Sequence, residues 1–578
     1  MGTLFKKFFD FGESSPADGY IKVFPGDVYS DAKGYGFTFD KDSGGKSMTS
    51  ISSDKGIYSG IFSDFCMGSA NDVPINFEIK VPHSGTYDVK IYIGGSLREC
   101  DISVLSQWRR FMLKRKIAAG ECAEYEFTVN VCDVHRKDEE RFIDRSIRIS
   151  VLGQNPLINA IEIVENPSAP TVYIGGDSTV TDQTATYPYN PQSTYCGWGQ
   201  MLGKYLKKGI AVSNHAQSGL TTEEFMGIHW AVVKERIKKG DFLFLQFGHN
   251  DQKIKELDAF GGYTKNLKYY IDYAKSVGAK PVLCTPINRI IFEEDGSLRD
   301  LLGEYGMAVR SLAKAENIPC IDLLGKTTDY FVKQGDERAW KYFWGDGVSR
   351  DYTHTNDIGG DVIARFVVQE ILRNNTEGIR EFVREDIISV EEPPSLDPSK
   401  RRKPSREGLK PVEDIGLVNI PKFGDINGLD NENKIKELAA RGILDGSGDN
   451  SFAPDGLLSG KSAVYWAVRA AGIKCGFEDC GKYGFAGPIT AGDEPVTRAE
   501  LAVLLVNSYN HRAPDRAIVG NIDCYDDRGD IPPELSDYVR AANELGVLKG
   551  ESKTKYSPKS TFTRKDAADI FYKLINIK

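Results

Sequence analysis

The run Tyr173-Ile174-Gly175-Gly176-Asp177-Ser178-Thr179-Val180 constrains this chain more than any other segment. Its β-branched and aromatic residues predict a strand that stops at a Gly-Gly turn and presents a serine behind an aspartate. A strand ending in a tight turn with a hydroxyl at its tip is how α/β hydrolases expose a nucleophile. The chain holds no Gly-x-Ser-x-Gly, which excludes the ordinary lipase elbow. No His-Glu-x-x-His or glycine-lysine phosphate loop competes for the chemistry.

A serine hydroxyl is a poor nucleophile at neutral pH and needs a base. His354 is the candidate, in Asp351-Tyr352-Thr353-His354. Asp351 can hold the Nδ1–H of His354 from the same turn, leaving Nε2 free to take the proton of Ser178. Two further blocks, Asn214-His215-Ala216-Gln217-Ser218-Gly219 and Phe247-Gly248-His249-Asn250-Asp251, offer donors for an oxyanion. Each motif has a plainer reading: His354 and His249 as structural histidines, Asp177 as the cap of a following helix. His215 has no assigned role.

The 578 residues suggest three or four domains. The net charge of −9 argues against nucleic acid or an anionic membrane as partner. Residues 13–166 alternate apolar and polar in short segments such as 75–81, 87–93, 125–131, 146–151 and 160–164, and predict an antiparallel β-sandwich. Over 170–375, apolar strands (242–247, 281–285) alternate with helical stretches such as Asn266 to Val277, which predicts βαβ units and a parallel sheet. Ser178 and Asn250 both fall just past a predicted strand, the edge where such sheets carry their sites. Residues 376–416, with Glu391-Glu392-Pro393-Pro394 and Lys400-Arg401-Arg402-Lys403-Pro404, read as a charged, proline-rich linker. Residues 417–578 hold an imperfect repeat. Two units run Phe423 to Pro454 and Tyr525 to Pro558, and a middle one keeps only its helix start, Val496-Thr497-Arg498-Ala499-Glu500, with a capping box.

The four blocks around Ser178, Gly219, Asn250 and His354, in that order, resemble the SGNH (GDSL) hydrolase superfamily, which implies a flavodoxin-like parallel sheet. Gly197-Trp198-Gly199-Gln200, Gly240 to Lys253, Thr285-Pro286-Ile287-Asn288-Arg289, Ile321-Asp322-Leu323 and Thr353-His354-Thr355 are similar to rhamnogalacturonan acetylesterases of carbohydrate esterase family 12. The resemblance implies a triad of Ser178, Asp351 and His354. It implies an oxyanion hole made by the N–H groups of Ser178 and Gly219 and the side-chain amide of Asn250. It further implies release of acetate from acetylated pectic glycans, with no metal or organic cofactor. Asp177, His249 and Arg289 are candidate substrate contacts, and Arg289 and Lys253 are candidate cations for a uronate. Leu220 stands where these enzymes usually carry arginine. The loop Tyr187-Pro188-Tyr189-Asn190-Pro191 is either a sugar-stacking lip or an ordinary stiffened loop.

Gly19-Tyr20-Ile21-Lys22-Val23 and Gly34-Tyr35-Gly36-Phe37 resemble the galactose-binding-like sandwich that precedes some of these esterases. The C-terminal units resemble S-layer homology (SLH) repeats, which implies contact with cell-wall glycan or with a second copy. The helix-start motif is degenerate, becoming Thr563-Arg564-Lys565-Asp566 and Ser459-Gly460-Lys461-Ser462. No export signal or membrane span is visible, so cytoplasmic residence is the expectation, with the cell surface as the alternative. An acetylxylan or other small acyl esterase, and an inert glycan-binding wall protein, remain as competing readings.

Overall fold

The computed structural model describes residues 4–38, 50–107, 109–135, 140–391, 404–405, 407–409, 415–418, 423–447, 451–473, 475–489, 492–514 and 520–577. The chain divides into two compact units, Met1–Leu257 with Gly262–Val418, and Asn419–Lys578 with Asp258–Gly261.

In the first unit, two five-stranded sheets form the expected sandwich. One runs Cys122–Val131, Gly85–Gly94, Ala160–Glu165, Lys6–Phe11, Ile21–Val23; the other runs Tyr35–Phe37, Ile75–Lys80, Ser146–Gln154, Cys100–Ser106, Arg110–Ile117. Alternation builds them: Ile75, Phe77 and Ile79 are buried while Asn76 and Glu78 are only partly covered. The inward residues of both sheets, among them Phe9, Phe11, Phe77, Ile91 and Ile149, share one core. The sandwich starts earlier than the expected residue 13, because Lys6–Phe11 pairs along Ala160–Glu165 as an internal strand.

The second lobe of this unit is a five-stranded parallel sheet. Its strands, numbered within this sheet, are β1 (Thr171–Gly176), β2 (Ala211–Asn214), β3 (Phe242–Gln246), β4 (Lys280–Cys284) and β5 (Cys320–Ile321), in the order β2-β1-β3-β4-β5. Every residue of β1 and β3 is buried, as in a sheet covered on both faces. The helices are α1 (Ile228–Arg236), α2 (Thr264–Ser276), α3 (Gly303–Glu316), α4 (Leu323–Ala339) and α5 (Asp357–Arg373). This strand order reverses direction at β1, the switch point at which such folds bind ligands beyond the strand ends.

The sandwich is no detached module. Its Leu105, Phe111 and Leu152 belong to the same apolar cluster as Val172, Trp198 and Val212 of the hydrolase lobe. The start of the expected linker is also structured. Ile379 and Val383 are fully buried, Leu206 bridges to Val383, and the Arg384 N–H donates to the Tyr205 carbonyl at 2.9 Å. Three isoleucines, a phenylalanine and a valine among the charges of 379–388 give this stretch an apolar side to bury. Most of the Pro-rich part, including residues 392–394 and 400–403, lies outside the described residues.

The second unit is mostly helical: α6 (Glu432–Ala440), α7 (Gly460–Ala470), α8 (Arg498–Arg512), α9 (Ser536–Glu544) and α10 (Arg564–Ile575). Ser459, Thr497 and Thr563 cap α7, α8 and α10, and Thr497 with Glu500 closes the expected capping box. Bridges Leu457↔Thr563, Ser459↔Pro495 and Thr497↔Thr561 link the three helix starts. The helix-start arginines point inward. Arg498 donates to the Lys549 carbonyl and to Ser560 Oγ, and Arg564 donates to the Phe452 and Asp445 carbonyls. Among the described residues no helix is long and apolar enough to cross a membrane.

Candidate active site

Ser178 is presented as the sequence predicts, one residue past the buried aspartate that follows β1. The two glycines are needed for space. A Cβ on Gly175 would lie 2.8 Å from the Phe225 ring, and one on Gly176 would lie 2.8 Å from the Gln246 carbonyl. Asp177 is fully buried; its Oδ1 accepts from the Thr179 N–H (2.9 Å) and hydroxyl (2.7 Å), and its carbonyl accepts from the N–H groups of Val180 and Thr181. It caps the turn that holds Ser178 outward.

The structure brings Ser178, His354 and Asp351 together. Ser178 Oγ lies 2.7 Å from His354 Nε2, and His354 Nδ1 lies 2.7 Å from Asp351 Oδ2. The aspartate and histidine sit in a strand, β7 (Arg350–Thr355), paired with β6 (Phe343–Gly345), and not in a turn as expected. Asp351 Oδ1 nonetheless accepts from the N–H groups of Thr353 (2.8 Å) and His354 (3.0 Å), curling the segment so that side chains three apart meet. Burial pushes the Asp351 carboxyl up, but hydrogen bonds from His354 and these N–H groups outweigh it and hold the group below the usual carboxylate range. The carboxylate stays ionised and fixes the imidazole tautomer.

The oxyanion candidates lie on loops tied to the nucleophile. Gly219 has φ +86, which glycine adopts without strain. Gln183 Nε2 reaches both the Ser178 carbonyl (3.3 Å) and Ser218 Oγ (3.4 Å). Asn250 Nδ2 donates to the Leu220 carbonyl (3.1 Å), and Asn250 Oδ1 accepts from Lys253 Nζ (2.9 Å). Its amide is thereby locked with one N–H committed to the Gly219 loop.

Several expected substrate contacts are corrected by depth. Asp177, His249 and Arg289 are 0%, 2% and 1% exposed, beneath the nucleophile and out of a glycan's reach. His249 Nδ1 lies 3.5 Å from Asp177 Oδ2, and Arg289 Nε donates to Thr353 Oγ1 at 3.1 Å, inside the segment that carries His354. Burial pushes the Arg289 guanidinium down to about 10. Lys253 is occupied in orienting Asn250. Tyr189 is tied down, its hydroxyl donating to Asp357 Oδ2 and its N–H to the Asp72 carbonyl, which favours the stiffened-loop reading of 187–191. His215 is buried beside Tyr173 and Ser213 and stays structural.

Residue-by-residue reading missed Arg109 and Arg110 of the sandwich. Arg109 Nη1 and Nη2 bind the two oxygens of Asp357 at 2.9 and 2.8 Å, and Arg110 Nε binds Asp182 Oδ2 at 2.8 Å. Their partners lie 248 and 72 residues away, so no local pattern could reveal them. Tyr195 beside His354, and Trp344 stacked on Tyr195, were missed for the same reason.

The model of the GDSL-like lipase/acylhydrolase family matches residues 175–362. The rhamnogalacturonan acetylesterase RhgT of Bacillus subtilis is 35% identical over 211 residues, 35% of this chain and 88% of that protein. The uncharacterized esterase YxiM of the same organism is 30% identical over 382 residues, 64% of this chain and 91% of its own length. The chain belongs to the GDSL-like acylhydrolase family. This acylhydrolase is a carboxylic ester hydrolase. The crystal structure of B. subtilis YxiM covers 65% of the acylhydrolase chain and 100% of its own, with 28% identity and a TM-score of 0.36. A model described as β-agarase/YXIM esterase-like, galactose-binding domain-like, matches residues 7–109, and the S-layer homology model matches 422–464 and 525–568. The SLH matches indicate association with the cell surface, so the cytoplasmic expectation gives way to its alternative.

Proposed function

We propose that this acylhydrolase removes acetyl groups from pectic, rhamnogalacturonan-type glycans through a serine acyl-enzyme. The observation that carries the chemistry is the chain of two 2.7 Å contacts from Ser178 through His354 to Asp351. Ser178 Oγ attacks the acetyl carbonyl as His354 Nε2 takes its proton. The N–H groups of Ser178 and Gly219 and the free N–H of Asn250 receive the oxyanion. Collapse of the intermediate expels the sugar hydroxyl, which takes the proton from His354. Water, deprotonated by the same imidazole, then attacks the acetyl-serine, and acetate leaves as His354 returns the proton to Ser178 Oγ.

The pectic substrate is supported by the relatives named for it, RhgT at 35% identity and the probable rhamnogalacturonan acetylesterase YesY at 34%. We assign the sandwich to residues 6–166, the catalytic lobe to 170–391 and the SLH-type module to 423–577. That module would hold the enzyme to wall glycan by surfaces other than the buried guanidiniums of Arg498 and Arg564.

The test is acetate release from acetylated rhamnogalacturonan oligosaccharides and from acetylated xylo-oligosaccharides. The pectic substrate is expected to be the better one, and Ser178→Ala to lower kcat by about 10⁶. Preference for xylan would overturn the substrate, and an active Ser178→Ala protein would overturn the mechanism.

A further inference from the structure

Two stacked aromatic rings lead away from the imidazole, and the first of them touches it. Tyr195 meets the His354 ring nearly at right angles, with centroids 5.8 Å apart and planes at 86°. Tyr195 also stacks on Trp344, at 4.8 Å and 11°. The pair is rigidly mounted. Trp344 Nε1 donates to the Ser193 carbonyl at 2.9 Å, and Gln192 Nε2 donates to the Phe343 carbonyl at 2.9 Å.

Trp344 lines a groove of about 400 Å³ whose other walls include Trp340, Gly347, Arg350 and Glu407. The Arg350 guanidinium lies over the Trp340 ring at 4.3 Å and donates through Nε and Nη2 to the carbonyls of Ser405 and Glu407. Among the described residues its Nη1 has no hydrogen bond. The nearby Asp346 carboxylate is committed to the N–H groups of Val348 and Ser349. The groove therefore offers a partly buried flat ring and a guanidinium edge, two ring contacts away from the catalytic imidazole.

This combination suits one kind of ligand. A pyranose has an apolar C–H face that lies well on an aromatic plane, and a rim of hydroxyls that needs donors and acceptors at the edges. An alkyl ester would leave the polar rim unused, and a peptide would have no need of a flat platform. We propose that Trp344, backed by Tyr195, is the platform for a pyranose ring of the glycan, with Arg350 donating to that ring's oxygens. The sugar so held neighbours the one whose acetyl group meets Ser178. The inference rests on the glycan esterase reading and assigns its second sugar subsite. Binding energy gathered there, away from the reacting carbonyl, orients the ester.

The experiment uses the full chain carrying Ser178→Ala, titrated calorimetrically with acetylated rhamnogalacturonan and acetylated xylo-oligosaccharides. Adding Trp344→Ala should weaken binding of the preferred glycan by about tenfold or more, the loss of one stacked ring. Trp344→Phe, which keeps a flat ring and the fold, should recover most of it, and Arg350→Gln should weaken binding several-fold. Unchanged affinity for both glycans in Trp344→Ala, or in Trp344→Phe a loss as large as in Trp344→Ala, would overturn the platform. Failure of the esterase reading shows separately, as absence of acetate release by the native enzyme from 4-nitrophenyl acetate.

Discussion

The guanidinium of Arg109, a sandwich residue, clasps both oxygens of Asp357, the first residue of α5 and three positions beyond His354. Both side chains are nearly buried, at 9% and 2% exposure. Arg109 also donates to the carbonyls of Gln183 and Tyr195, and it holds a left-handed backbone at φ +70 to do so. Arg110 does the same work on the other side, gripping Asp182 four residues after Ser178 and the Val212 carbonyl. The segments that carry nucleophile and base are thus both anchored on the neighbouring lobe.

Removing one partner of such a buried pair leaves the other charge stranded. Arg109→Met should lower stability by about 3–5 kcal/mol. Arg109→Lys should recover only part of it, because an ammonium cannot reproduce the two-pronged contact. Denaturant unfolding of the three proteins checks this, and a loss below about 1 kcal/mol in Arg109→Met would refute the clasp.

Asn250 and Lys253 divide one task. Asn250→Ala removes an oxyanion donor and should lower kcat by about 10²–10³. Lys253→Met leaves the amide in place but frees it to rotate, so its effect on kcat should be smaller, on the order of tenfold. Steady-state kinetics on 4-nitrophenyl acetate would separate the two, and equal losses would argue against an orienting role.

Asp351→Asn keeps the shape of the site and reverses the hydrogen-bond demand at His354 Nδ1. Turnover should fall by about 10⁴ with little change in KM. A fall below tenfold would mean that another group orients the imidazole.

The acid side of the stability curve carries a further prediction. Burial pushes the His215 imidazole down to about 3, and burial with the nearby His135 pushes His229 down to about 4. The unfolded chain binds these protons near ~6.5, so each histidine removes stability as pH falls below that value, by up to about 1.4 kcal/mol per unit until its folded pKa is reached. Asp251, lifted by burial to about 7, acts in the opposite sense over the same range. The test is therefore a difference: His229→Phe should lose less stability than the native protein between pH 6.5 and 4.5. Parallel unfolding curves at both pH values would sink it.

Elements whose signal is local were legible in the sequence. The alternation of Ile75 to Lys80 and the buried run of β3 declare their strands, and the four motif blocks fall where the topology places its switch point. Depth was not legible. Asp177, His249 and Arg289 carry polar groups that suit substrate as well as they suit a buried network, and only the fold distinguishes the two. The charges of 376–391 hid the apolar side made by Ile379 and Val383. The clasp of Arg109 joins residues too distant for any spacing rule.

Lys6–Phe11 lies between Ala160–Glu165 and Ile21–Val23, so the sheet takes its fourth strand from residues that precede the rest of the sandwich in sequence. A gene fragment begun at residue 13 would express a lobe with an open seam, its Ile161 and Ile163 backbone bare to other chains. Such a product should clump rather than fold, and shortened versions of this enzyme are best cut elsewhere.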